Sequence, residues 1–504
     1  MKKLVTGAFV VLSASFALAQ NSDNNVTQTG NSNSATVTQQ SLSTFGNENV
    51  SDQTGTGNTI NVKQRSNSGR NKAETTQNGL INEATVSQGQ GFSAGGVEVK
   101  QDQDGLRNRA TATQEYTWQS KIDQKQVGSL NTVRATQGGA DVRSNIKQDQ
   151  DGLSNTATAS QSQGSFVRPY GTWSTANDIN QIQDGNFNTA TGTQVGYLND
   201  LDQVQDGSLN RATSTQTGER HDTSQDQDGN LNVATTTQTG VHQTATQNQD
   251  GNLNNASATQ GGNDNSVTQT QNGNSNRATT NQSGGSSWNT QTQNGNNNVV
   301  SANQSGGIYN AAMQSQTNNR NNATLDQVGS YNEAGQYQTG LRNLADGDQT
   351  GDRNSLDINQ NGNDNEGFAT QSNNYNKSDI DQIGNDNYAR SNQSGSASAN
   401  GNMNSVKMYQ QGNDNSSIGE QSVGNSNKLV ANQYGNDNIS ESYQIGSSNT
   451  ATINQGASSM AANSNESYVT QNGNGNMATI SQMTNGNTHT SMQMGNSNTV
   501  TVNQ

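Results

Sequence analysis

Glutamine recurs along this chain with a step of eleven residues. Gln183, Gln194, Gln205, Gln216, Gln227, Gln238, Gln249, Gln260, Gln271, Gln282, Gln293 and Gln304 keep that step without a slip. After one extra residue the series resumes at Gln316 and continues to Gln393, and it reaches Gln504 through Gln482 and Gln493. Within each step the pattern is Gln-x-Gly-x-x-Asn-x-Ala-x-x-x-Gln. A fixed register of this kind marks a repeat architecture. Composition alone points elsewhere: 26% hydrophobic and 4% aromatic residues leave little apolar surface to offset the entropy of ordering. A disordered chain has no reason to hold a register, so disorder is excluded for the repeat region.

The second half of each step has a period of two. Asn232, Ala234, Thr236 and Gln238 fall on one face, and Val233, Thr235 and Thr237 on the other, which predicts a seven-residue strand. The residues after each Gln, with Gly second, predict a tight turn in which Gly and Asn take positive φ. Strands of two kinds alternate. One kind ends Gln-x-Gln, as at Gln225/Gln227 and Gln247/Gln249, and recurs every 22 residues. One coil is therefore strand, Asp-Gly turn, strand, and a second turn that takes the insertions. The expected fold is all-β: a β-solenoid of 22-residue coils with two facing parallel, in-register sheets, cross-β in character. The expected structural ladder is Gln205, Gly207, Asn210, Ala212 and Gln216, then Gln227, Gly229, Asn232, Ala234 and Gln238, then Gln249, Gly251, Asn254, Ala256 and Gln260. Its buried amides are expected to be satisfied by identical amides one coil above and below. Larger inner residues such as Ile358, Ile380 and Met408 are expected to face small ones such as Gly347, Ala369 and Ser391. A degenerate, loop-bearing coil is expected near 162–176, where Pro169, the single proline, lies among Phe166, Tyr170 and Trp173.

The chain has no cysteine and a net charge of −15, which argues against thiolate metal sites and against nucleic acid or an anionic membrane surface as partner. Residues 1–19, with Lys2, Lys3, an apolar run and Ala17-Leu18-Ala19, read as a secretory signal peptide. No other run is long enough to span a bilayer. The expected domain is thus 20–504, exported and not membrane-spanning. The last residues, MGNSNTVTVNQ, form a clean repeat, and an open strand edge is expected there.

These residues resemble the curlin repeat, Ser-x5-Gln-x-Gly-x-x-Asn-x-Ala-x3-Gln. Ser144, Gln150, Gly152, Asn155, Ala157 and Gln161 match it fully, and Ser120, Gln126, Gly128, Asn131 and Gln137 match with Val133 in place of Ala. In many copies Asn replaces Ser, as at Asn177, Asn199, Asn265 and Asn310. The chain resembles an unusually long member, with about twenty repeats. The resemblance implies a structural subunit of extracellular curli-type amyloid fibres at the bacterial surface, serving biofilm matrix and adhesion. It implies self-association, export through the general secretory route and an outer-membrane pore, a nucleator subunit and periplasmic accessory factors. It implies no cofactor.

Two other readings rest on residues. Thr191/Thr193, Thr213/Thr215 and Thr235/Thr237 lie 22 apart and would stack as a threonine face, as in a monomeric ice-binding solenoid. Asp184, Asp206, Asp228 and Asp250 would stack at the turn, where a hard cation would make a calcium-stabilised adhesin. The simpler reading makes these aspartates turn residues whose repulsion slows premature stacking, that is, gatekeepers. His221, His242 and His489 are scattered repeat variants and suggest no catalytic site and no enzyme. Trp118, Trp173 and Trp288 lie near variable turns or degenerate repeats.

Overall fold

The computed structural model describes residues 22–41, 46–66, 70–89, 96–139, 143–163, 176–395 and 403–504. The leader at 1–19 and the aromatic segment around Pro169 lie outside the described residues. All regular structure among the described residues is β-strand, and the chain is a β-solenoid built from two parallel sheets. Coils average about 23 residues against the expected 22, because insertions lengthen some turns. The chain divides into two compact units, Met1–Leu253 and Asn254–Gln504.

In the first unit, successive strands alternate between the sheets. One sheet contains Asp178–Asn186, Asp200–Ser208, Asp222–Asn230 and Thr244–Asn252, each paired in parallel with the next. The other contains Thr189–Tyr197, Arg211–Glu219 and Val233–Val241, paired the same way. Register is like on like: Gln203 opposes Gln225, Gln205 opposes Gln227, and Gly207 opposes Gly229. A one-residue slip would turn every inward glutamine outward. These strands run nine residues, longer than the expected seven, because the segment after the last glutamine, Asp-Gly in one sheet and Thr-Gly or Val-Gly in the other, stays paired with the next coil as it bends. In the second unit the strands are mostly seven residues, as in Ser355–Asn361, Glu366–Ser372 and Lys377–Ile383.

Inward positions alternate with outward ones along every strand, so each core is a thin layer between two sheets. In the first unit Ile122, Ile146, Ile179 and Leu201 are buried from one sheet with Ala112, Ala135 and Ala159 from the other. A Cβ on Gly192 would lie 2.6 Å from Leu201 Cδ2, so the glycine makes room for the leucine. In the second unit Ile358, Ile380, Met408 and Leu429 are fully buried. A Cβ on Gly347 would lie 3.1 Å from Leu356 Cδ1, and one on Gly419 would lie 2.3 Å from Leu429 Cδ2 and 2.7 Å from Met408 Cε. Large against small fills a gap of fixed width without voids.

Insertions do not keep to one turn. In the second unit the chain between Thr450–Gln455 and Glu466–Asn472 is lengthened, at the turn expected to be constant. Ala457 and Met460 close this excursion by bonding each other's backbone, and the Ala462 N–H returns to the Tyr434 carbonyl at 2.9 Å. The ladder resumes afterwards because each strand is fixed by its neighbour in the stack and not by the turn that delivers it.

The large-to-small pairing predicts non-additive energetics. Leu429→Ala should cost about 2–4 kcal/mol through the cavity it leaves. Gly419→Ala alone should destabilise by overpacking, yet be neutral or favourable in the Leu429→Ala background. Urea-unfolding midpoints of the two single variants and the double variant check this, and strict additivity would show that the residues do not share one space.

Candidate functional site

The inner glutamines stand in three hydrogen-bonded rows, one of which gives way to Ile358 after Gln336. In the first unit Gln205 Nε2 donates to Gln227 Oε1 at 2.8 Å, and Gln227 Nε2 donates to Gln249 Oε1 at 2.8 Å. One position earlier on the same face, Gln203 donates to Gln225 and Gln225 to Gln247. On the facing sheet Gln194 donates to Gln216 and Gln216 to Gln238. Every donation points toward the higher-numbered coil. The second N–H of each amide crosses the core. Gln205 reaches the Thr189 carbonyl at 3.2 Å, Gln227 the Arg211 carbonyl at 3.1 Å, and Gln216 the Asp200 carbonyl at 2.7 Å. Each glutamine therefore ties its coil to the next and one sheet to the other. Aligned amides in a dry core polarise one another, which strengthens the chain. In the second unit Gln260 donates to Gln282, and Gln349 donates both to Gln371 and to the Glu333 carbonyl.

Asparagine does a different job from the one expected. Asn210 Nδ2 donates to the Asp206 carbonyl at 3.0 Å and to the Gly229 carbonyl at 2.8 Å, while its Oδ1 accepts the backbone N–H of Asn232. It closes its own turn and grips the next turn, so its ladder runs through the backbone and not from amide to amide. The short side chain sits at the strand start, within reach of main-chain groups. Asn254 makes the same contacts, to the Gly273 carbonyl and from the Asn276 N–H. Side-chain pairing is added farther along the second unit, where Asn365 Nδ2 also donates to Asn343 Oδ1. Ala212, Ala234 and Ala256 are fully buried between the Asn and Gln positions.

The turn glycines are required twice over. Gly229 has φ +110°, and a Cβ there would lie 2.0 Å from the carbonyl oxygen of Gly251; Gly207 stands in the same relation to Gly229. Positive φ also occurs where the pattern gave no warning, at the residue before Asn: Leu209 (61°), Leu231 (59°) and Leu253 (60°). Bulky residues adopt this conformation at a cost of about 1–2 kcal/mol. Here the Leu231 N–H donates to the Ser208 carbonyl and the next residue, Asn232, holds the Asp228 carbonyl. These main-chain bonds offset the strain, so a glycine is not required there, although Gly57 and Gly475 fill the position in other coils.

Outward residues stack by kind. Asp184, Asp206, Asp228 and Asp250 are exposed and in register. A second row, Asp178, Asp200 and Asp222, lies at the other end of the same strands. The sequence reading missed it, although the 22-residue recurrence of Asp would have shown it. Burial, and then the charges of Asp222 and Asp178, raise the Asp200 pKa; burial and then Asp202 raise that of Asp222. Among the described residues no group of three or more His, Asp or Glu side chains is placed to hold a metal ion. Thr191, Thr213 and Thr235 oppose one another, as do Thr193, Thr215 and Thr237. His221 is buried in a row with Asn199, its backbone N–H donating to Asn199 Oδ1 and its Nε2 3.1 Å from the Thr217 carbonyl. It stands in for the asparagine of the repeat. His489 opposes Ser467 at an inward position, and His242 lies at an exposed turn beside Arg220.

A family model described as the curlin associated repeat matches residues 351–384 and 461–483. These two segments of the chain carry the curlin repeat. The first match spans the strands Ser355–Asn361, Glu366–Ser372 and Lys377–Ile383, and the second spans Glu466–Asn472 and Met477–Gln482. Their glutamines Gln360, Gln371, Gln382, Gln471 and Gln482 all stand in ladders. At both matched stretches the repeat thus falls on hydrogen-bonded coils. No curated protein matches the chain.

Removing one rung should be costly. Gln227→Ala leaves Gln205 Nε2 without its acceptor and Gln249 Oε1 without its donor, and should destabilise by about 2–3 kcal/mol. The outward Thr235→Ala should change stability by less than about 0.5 kcal/mol. Chemical denaturation of both variants makes the comparison, and equal effects would count against the ladder as the main tie.

The aspartate row predicts a pH dependence. Asp200 and Asp222 bind protons more tightly folded than unfolded. Their contribution is therefore fully present below the ordinary carboxylate range and is lost as pH rises through their raised values. His221, whose pKa burial lowers, opposes folding as it becomes protonated. Asp200→Asn with Asp222→Asn should raise stability at neutral pH and flatten the gain seen on mild acidification, as read from urea midpoints at a series of pH values.

Proposed function

We propose that this chain is a structural subunit of extracellular curli-type fibres that contribute to biofilm matrix and adhesion, and that it grows by templated stacking of coil on coil. One observation carries the reading. The interface between neighbouring coils is like on like: glutamine on glutamine, glycine on glycine, with the ladder glutamines donating in the same direction. The exposed edge of any coil therefore offers the groups that another copy of the coil needs, which is the condition for cross-β growth. The curlin match supports a structural role over a catalytic one. By resemblance the partners are further copies of the chain, a nucleator subunit, periplasmic accessory factors and an outer-membrane secretion pore, reached after a leader at 1–19 is removed.

The exposed row Asp184, Asp206, Asp228 and Asp250 acts in this reading as a brake, since like charges one coil apart oppose stacking. Residues 20–504, diluted from denaturant, should form fibres whose growth is accelerated by sonicated seeds, as followed by thioflavin fluorescence and electron microscopy. Replacing the four aspartates by Asn should shorten the lag and weaken its dependence on salt; unchanged kinetics would remove the brake. A stable, seed-insensitive species of monomer mass would overturn fibre assembly. The register of the threonine rows would then direct attention to ice binding, measured as thermal hysteresis.

A further inference from the structure

In the second unit one outward row runs Thr290, Met313, Gly335, Asp357, each residue in register with the next. Gly335 interrupts it. The missing side chain leaves a cleft of about 230 Å³, bordered by Trp288, Met313 and Tyr337 and carrying the carboxylates of Glu333 and Asp357. Tyr337 Oη lies 3.1 Å from Met313 Sδ, which draws the ring across the gap. A Cβ on Gly335 would lie 2.8 Å from Tyr337 Cε2 and 3.2 Å from Asp357 Oδ1. An aromatic ring and a carboxylate oxygen thus face the same small space.

The cleft carries no cation of its own. Its lining contains no lysine or arginine. Asp357 Oδ1 is buried and has no hydrogen-bond partner. Burial, then the neighbouring Asp379, raises Asp357 to about 6; Asn359, whose Nδ2 donates to Asp381 Oδ1 at 3.0 Å, and the charge of Lys377 only partly offset this, while Asp381 adds to it. Lys407, which continues the row two coils beyond Asp357, is engaged 3.2 Å from Asp379. A buried acceptor without a donor, beside an indole, a phenol ring and a thioether, suits a ligand with a charged donor at one end and an apolar body at the other. A hard divalent ion is a poor fit, because it wants six or more oxygens.

We infer that this cleft binds a small organic ammonium ion, an aryl- or alkylamine. Its ammonium group pairs with the Asp357 carboxylate, and its apolar body packs on Tyr337, Met313 and Trp288. Glu333 adds attraction at the rim. The site is independent of fibre growth, since it lies on the outward face and uses none of the ladder amides.

Equilibrium dialysis of residues 20–504 against radiolabelled phenethylamine tests this, with the uncharged phenethyl alcohol as competitor. One saturable site per chain is expected near neutral pH, with no displacement by the alcohol. Asp357→Asn should weaken binding about tenfold or more, the loss of a buried charged contact. Gly335→Val should abolish it by filling the cleft. Affinity should fall as pH drops through about 6, where Asp357 takes up its proton, whereas Glu333→Gln should have the smaller effect. Equal binding of the alcohol, or an amine affinity unchanged in Asp357→Asn, would overturn the proposal. Both measurements hold for the chain whether or not it assembles, so they succeed or fail separately from the fibre reading.

Discussion

The glutamine amide is the constraint on which this structure rests. A chain with so few apolar residues cannot build a core from hydrophobic area alone. Glutamine solves this only when both N–H groups and the carbonyl oxygen are used, because an unpaired buried amide costs more than the fold can spare. In these coils one N–H goes up the stack, the other crosses to the facing sheet, and the oxygen accepts from below. That three-way use demands identical residues at identical heights in consecutive coils, which is why the register is kept so strictly.

The remaining features follow from keeping coils alike and close. Glycine is favoured at the turn, since a side chain there would collide with the next coil's carbonyl, and Asn318 and Asn373 take its place with positive φ. Asparagine must stand where it can hold two turns at once. The core is thin, so a leucine in one sheet requires a glycine or alanine in the other. Outward positions are free of these demands, and there the chain places what repetition makes unfavourable or distinctive: rows of aspartate, rows of threonine, and the gap at Gly335. Like-charge rows oppose the attraction between coils, and burial deepens the effect at Asp200 and Asp222.

Much of this was legible in the sequence. The step of eleven gave the strand positions, the inward face and the parallel pairing, because a two-residue period in each strand and a constant coil length leave one consistent arrangement. The inner residues Ile358, Ile380 and Met408 against Gly347 and Ala369 could be read the same way. The exceptions have physical causes. The strained residues Leu209, Leu231 and Leu253 were invisible because main-chain hydrogen bonds, not residue type, hold them. The insertion between Gln455 and Glu466 fell at the turn thought constant because strand pairing tolerates excursions at either end. The separate role of Asn210 and Asn232 was missed because a period shared with glutamine does not reveal which backbone groups a shorter side chain can reach.

By itself the sequence determined the repeat, the two faces of each strand, and the pairing of like with like, since these depend only on spacing along the chain. Tertiary structure decided where each amide proton goes, which turn residues bear strain, and how outward side chains from different coils meet. The cleft at Gly335 shows the difference. Trp288, Met313, Tyr337 and Asp357 come from different coils and follow no repeat rule, so only stacking the coils brings them around one missing side chain.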